Sequence, residues 1–176
     1  MNLDGNFFEL FDIPVSWQVS LKDIKNKQRS LQQQFHPDLF ANCSNNEKRL
    51  AVERAAKINE AYRALSSPLS RAKHLLSIYG HDTNNENFVS SDTAFLIEQI
   101  EYREALDGLS NSRDPDHELE RLRGKVELAY QELQKQFGDF LSANHTNDAL
   151  KTFSKMQFFS KLLDQVCLTE QKLEDL

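Results

Sequence analysis

SLKDIKNKQRSLQQQFHPDLFANCSNNEKRLAVERAAKINEAYRALS, residues 20–66, decides the fold. Ser20 is a helix N-cap. After it Leu21, Ile24, Leu31 and Phe35 recur on one face, with Lys22, Arg29 and Gln33 on the other and Lys25 at its flank. Pro37 ends this helix, because proline supplies no backbone donor and restricts the residue before it. Ser44-Asn45-Asn46-Glu47 is a capping-box pattern that opens a second helix. Within it Ala51, Ala55, Ile58, Tyr62 and Leu65 follow at steps of four and three, the seam of a helix packing on a neighbour, and the alanines permit close approach. Two such helices joined by residues 36–44 predict an antiparallel hairpin with His36-Pro37-Asp38 exposed at its turn.

Working outward, a short apolar helix is expected over roughly Asn6–Phe11, stopping before Pro14. Ser67-Pro68 caps and starts a further helix, with proline at its favoured first position, and Gly80 closes it. Residues 81–90, HDTNNENFVS, are polar and turn-rich and read as a linker. Three more helices follow. One runs from about Asp92 to Leu109. The next, after Asp114-Pro115, carries Leu119, Leu122, Val126, Leu133, Phe137 and Phe140. The last, after Thr146 or Asn147, carries Phe153, Met156, Phe159, Leu163 and Val166. Short connections make these an antiparallel bundle. Strand signals are almost absent, so the expected class is all-α: a hairpin-based N-terminal domain over 1–80, a linker over 81–90 and a C-terminal three-helix domain over 91–176.

The composition narrows the function. Net charge is -6, with 39% hydrophobic and 27% charged residues, and no apolar run approaches the length of a membrane span. Residues 1–80 hold 11 Lys/Arg against 8 Asp/Glu, whereas 81–176 hold 10 against 19. That asymmetry predicts two units facing different partners, and the acidic second half argues against nucleic acid, which needs a concentrated basic surface. With neither a basic-then-apolar signal nor an Arg-rich transit segment, cytoplasmic residence is expected, or the mitochondrial matrix if a transit segment has been removed. Cys43 and Cys167 stand far apart without CxxC partners and read as reduced thiols.

His36 and Asp38 flanking a proline can be read as metal ligands, as an acid–base pair or as a plain helix-stopping turn. Coordination needs further ligands at suitable spacing, and His74, His81, His117 and His145 are scattered singly. No nucleophile motif or phosphate-cradling glycine loop is present. The expectation is therefore no catalytic residue, no metal and no cofactor.

A short helix, a basic amphipathic helix, the His-Pro-Asp turn and a capped helix with an alanine seam together resemble the J-domain family over about residues 6–80. The resemblance implies a co-chaperone without chemistry of its own, which docks on a DnaK-class chaperone and stimulates its ATP hydrolysis. His36, Pro37 and Asp38 would be the essential contact, with Lys25 and Arg29 meeting an acidic chaperone surface. The alternative for those cations is a solvated helix face. Leu39 and Gln33 stand where the family often places a basic residue, which implies a specialised chaperone partner.

The segment from Asp92-Thr93-Ala94-Phe95-Leu96 to Arg103-Glu104-Ala105-Leu106-Asp107 is similar to the first C-terminal helix of HscB-type co-chaperones of iron–sulfur cluster assembly. The resemblance then covers nearly the whole chain. It implies that the C-terminal domain binds a cluster scaffold protein of the IscU type and presents it to a chaperone of the HscA type. The residues themselves point to a binding face. Phe95, Gln99, Tyr102, Leu106 and Leu109 form one core-like stripe, while Leu96, Ile97 and Ile100 make a second apolar strip bordered by Glu101 and Glu104. Phe158 lies off the stripe of its own helix, as an interface anchor would. The resemblance places scaffold contacts at these same six positions: Leu96, Ile97, Ile100, Glu101, Glu104 and Phe158. The other reading is that the strip packs against the N-terminal domain. Gly108 departs from the family pattern, which implies another acidic contact there. Two alternatives remain: a J-domain protein serving a different client, and a purely structural helical protein with an accidental turn tripeptide.

Overall fold

Local signals set the helix boundaries in the computed structural model, which describes residues 5–83, 92–109 and 112–174. Seven α-helices and no strand occur among the described residues: α1 (Phe7–Leu10), α2 (Leu21–Phe35), α3 (Asn45–Ser66), α4 (Pro68–Ile78), α5 (Thr93–Gly108), α6 (Pro115–Ser142) and α7 (Thr146–Glu174). The caps are those the sequence advertises. Ser20 accepts from the Asp23 N–H, Ser67 from Ser70, Asp92 from Phe95 and Asp114 from His117. At Ser44 both halves of the capping box form, with the Ser44 N–H donating to Glu47 at 2.9 Å. The Ser44 hydroxyl, donating to the same carboxylate at 2.7 Å, and then the Ser44 N–H hold the Glu47 carboxyl below its ordinary pKa. α1 fills the expected span, with Asn6 as its N-cap and Phe11 as its C-cap, and the chain turns before Pro14 through Asp12, at a left-handed φ of 53°.

The chain forms two compact units, residues 1–80 and 81–176. Most of the expected linker, residues 84–90, lies outside the described residues. In the first unit α2 and α3 form the antiparallel hairpin, with α1 and α4 packed on α3. Its core comprises Phe8, Phe11, Ile24, Ile58, Ala61, Leu65, Leu75 and Leu76, all essentially inaccessible. One expectation fails here: Leu21 is 57% exposed. The α2 stripe instead runs from Ile24 through Gln28 to Leu31. Gln28 and Gln32 donate to the Asn59 carboxamide at 3.3 and 2.8 Å, so an amide clasp fills the seam between the two buried aliphatics. Arg71 ties α4 to the hairpin. It is buried, donates to the Leu65 carbonyl at 2.7 Å and lies 4.7 Å over the Trp17 ring.

In the second unit α6 and α7, of 28 and 29 residues, make one long antiparallel pair. Leu119, Leu122, Val126, Leu133 and Phe137 meet Phe153, Met156, Phe159, Leu162 and Val166. Leu162, not the expected Leu163, takes the buried position. α7 packs on α5 as well as α6, so its apolar arc is wider than a single stripe. Phe140 is only half-buried. The Arg123–Glu170 ion pair fastens one end of the α6/α7 pair.

Candidate functional site

On the first unit the candidate surface is the end of the hairpin. α2 stops because His36 takes an extended ψ of 128°, and Pro37 then opens a 3-10 turn, Pro37–Phe40. His36 caps that turn: its Nδ1 accepts the Asp38 N–H at 3.3 Å, which leaves Nε2 to carry the ring proton. The Asp38 carboxylate lies 3.5 Å from the same Nδ1. His36 and Asp38 are exposed and Pro37 is half-exposed. The turn is therefore pre-shaped from within and keeps its polar groups outward. Lys22, Lys25, Arg29 and Gln33 are all exposed and follow at steps of three and four, one stripe leading toward the turn. Lys25 and Arg29 make no ion pair among the described residues. Leu39, beside Asp38, is 64% exposed.

On the second unit the candidate surface is the outer face of α5. Phe95 and Leu109 are buried, and Gln99, Tyr102 and Leu106 are half-buried, so the expected core stripe forms. At 100° per residue, Leu96, Ile97, Ile100, Glu101 and Glu104 then fall on the far side of the helix. All five are exposed, Ile97 and Ile100 by 53% and 54%.

Phe158 behaves differently from a free anchor. Its half-buried ring meets Phe95 edge-on at 5.6 Å and Phe159 at 5.3 Å. The Arg103 guanidinium lies 5.8 Å from its centroid. Arg103 is seven residues from Leu96, on the same face of α5, so Phe158 borders the apolar strip while helping to seat the helix.

The contacts between helices that position α5 are not written in the sequence. Asp92 caps the helix and also pairs with Lys155 of α7 at 2.7 Å. The bond from Lys155 and the donated Phe95 N–H hold this carboxyl below its ordinary pKa. Lys155 lies 5.0 Å over the Phe95 ring, and Tyr102 meets Phe159 edge-on at 5.4 Å. A seven-residue step from Leu96 would have singled out Arg103. Nothing in the sequence pairs Asp92 with Lys155.

No three His, Cys, Asp or Glu side chains come together as metal ligands among the described residues, where both cysteines are free thiols. None of the described helices is long and apolar enough to cross a membrane.

Comparison with known proteins covers both units. Residues 6–74 match the DnaJ domain family and residues 91–166 the family described as the HSCB C-terminal oligomerisation domain. The chain is 38% identical over 168 residues to the co-chaperone protein HscB homolog of Vibrio atlanticus, covering 96% of this chain and 98% of that one. It is 36% identical over 173 residues to the homolog of Shewanella halifaxensis, covering 97% and 99%. Among solved structures, chaperone HscB from Vibrio cholerae superposes with a TM-score of 0.88 at 34% identity, over 96% of this chain and 99% of that one. The human co-chaperone protein HscB shares the fold, with a TM-score of 0.89 at 24% identity over 97% and 84% of the two chains.

Proposed function

Because the chain belongs to the HscB family of co-chaperones, we propose that it is a non-enzymatic adaptor in iron–sulfur protein maturation. Its first unit stimulates the ATPase of a DnaK-class chaperone of the HscA type. Its second unit delivers an IscU-type scaffold protein to that chaperone. The observation that carries this reading is that each unit exposes a surface its own core does not need. One is the self-capped His36-Pro37-Asp38 turn; the other is the apolar strip on the side of α5 opposite Phe95.

The roles follow from the chemistry present. Proline restricts the turn, so little conformational entropy is lost when it docks. Asp38 is an exposed carboxylate able to accept from a chaperone guanidinium. Lys25 and Arg29 give the approach a positive stripe that raises the encounter rate with an acidic surface. Bond making and breaking stay with the ATPase. On the other unit, Leu96, Ile97 and Ile100 offer the dry centre of an interface, Glu101 and Glu104 its charged rim, and Phe158 an aromatic edge.

The test is steady-state ATPase of the purified chaperone with wild type or His36→Gln, each with and without scaffold protein. Wild type is expected to stimulate, more so with scaffold, and His36→Gln to abolish stimulation. No stimulation by wild type overturns the chaperone assignment. Stimulation indifferent to scaffold, and to Leu96→Ala combined with Phe158→Ala, overturns the scaffold assignment and leaves a J-domain co-chaperone for another client.

A further inference from the structure

We propose that the groove between the C-terminal half of α5 and the N-terminal half of α6 is a second subsite of the scaffold-docking face, taking an acidic side chain of the scaffold on Arg121 and Lys125. This rests on the reading that α5 docks that protein.

Gly108 opens the groove. It stands four residues after Glu104 and seven after Glu101, so it continues the acidic edge of α5 at the one position without a side chain. The fold does not demand glycine there. The backbone is not left-handed, and nothing lies within 4 Å of the place a Cβ would occupy. Gly108 is the last residue of α5, so the gap lies at the end of the helix, beside the start of α6. What the gap leaves is a groove of about 250 Å³, floored by Ala105, Gly108, Leu109 and Leu122, with Glu118, Arg121 and Lys125 at its wall.

Arg121 and Lys125 are exposed, one helical turn apart, and neither forms an ion pair among the described residues. Arg123, two residues away on another face, is by contrast bound to Glu170. Glu118 is the single acid at the wall, so the groove is net positive beside an edge that is otherwise acidic. A carboxylate entering over Gly108 meets a guanidinium suited to bidentate pairing and a second cation beside it. Continuity with the strip selects the occupant. A protein lying on Leu96, Ile97 and Ile100 crosses Glu104 and reaches Gly108 about 6 Å further along the helix. The matching surface on the scaffold is therefore an apolar patch, then cations opposite Glu101 and Glu104, then a carboxylate.

The experiment is calorimetric titration of the full chain with purified scaffold protein, at low and high salt, with thermal melts of every variant. Arg121→Glu combined with Lys125→Glu is expected to weaken binding about three- to tenfold at low salt and less at high salt. Lys161→Glu combined with Lys172→Glu makes the same change in net charge away from the groove and is expected to leave binding within about twofold. Gly108→Glu folds normally and also weakens binding, because its own carboxylate occupies the two cations. The subsite is overturned if the Arg121/Lys125 reversal behaves like the Lys161/Lys172 control, or if Gly108→Glu tightens binding. Ile100→Ser separates the two failures. If it weakens binding and the groove variants do not, only the subsite falls. If wild type binds no scaffold, or Ile100→Ser binds like wild type, the α5 reading falls and the subsite with it.

Discussion

Truncating Ile97 and Ile100 together to alanine separates a docking face from a structural one. Both side chains are about half exposed, at 53% and 54%. In a helix the backbone and Cβ are shielded by the neighbouring turns, so the carbons that truncation removes are the more exposed part. Each substitution deletes three carbons worth about 0.8 kcal/mol apiece when fully buried. A partner covering half of that surface gains roughly 1.2 kcal/mol per residue and roughly 2.4 kcal/mol for the pair. That corresponds to about 50-fold weaker binding of the scaffold. Stability moves little, because the small loss of packing is offset by the better helix propensity of alanine, a few tenths of a kcal/mol per residue. The melting temperature of the protein should shift by less than about 4 °C. Isothermal titration calorimetry measures the first quantity and circular dichroism melts the second. Binding that weakens less than about threefold with an unchanged melt shows that no partner covers the strip. A melting temperature lower by more than about 10 °C shows instead that the strip is structural.

Phe158→Ala should fail on both counts. Losing the edge contacts to Phe95 and Phe159 destabilises the second unit by about 2 kcal/mol, the low end for a half-buried ring, so its melt falls while scaffold binding weakens. Lys25→Glu combined with Arg29→Glu should raise the co-chaperone concentration for half-maximal ATPase stimulation roughly tenfold at low salt and less at high salt. The maximal rate should stay near that of wild type, and an equal loss at all salt concentrations would refute steering by these exposed cations. Stability of the first unit should depend on His74, whose Nε2 accepts the Phe7 N–H at 3.0 Å and whose ring stacks on Phe7 at 4.3 Å. Burial, then Lys57, pushes its pKa below the ordinary 6.5, against a smaller opposing pull from Glu60. The folded state thus disfavours the proton: stability is full above pH 6.5, falls as the pH drops below it, and stops falling below the folded-state pKa. Melts of wild type and His74→Gln across this range check it, and an equal slope in both would refute the assignment.

The hairpin was legible because its signals are local. A serine cap, a capping box and a proline each act within one turn of helix, and Ser20, Ser44, Ser67 and Pro37 mark the boundaries found. The errors occur where a helical wheel must stand in for a neighbour. A wheel records angle and not axial overlap, so Leu21, correct in angle, is nevertheless exposed in the first turn of α2. Gln28 and Gln32 read as polar positions, and only the presence of Asn59 opposite makes them part of the seam. The wheel also assumes one partner per helix, which is why it chose Leu163 where α7, packed on two helices, buries Leu162.

The same distinction explains which half of the docking face could be read. Leu96, Ile97 and Ile100 stand out because one helix carries more apolar surface than one core contact requires, and that excess belongs to α5 alone. Arg103 against Phe158, Asp92 against Lys155, and Gly108 against Arg121 and Lys125 are juxtapositions between helices, set by the register of α5 on its neighbours. None has a signature in spacing. An exposed apolar strip is therefore visible in the sequence as a surplus, whereas the charges that orient a partner on it emerge only when the helices are assembled. Affinity for a scaffold should follow the strip, and the orientation in which it is held should follow the charges around it.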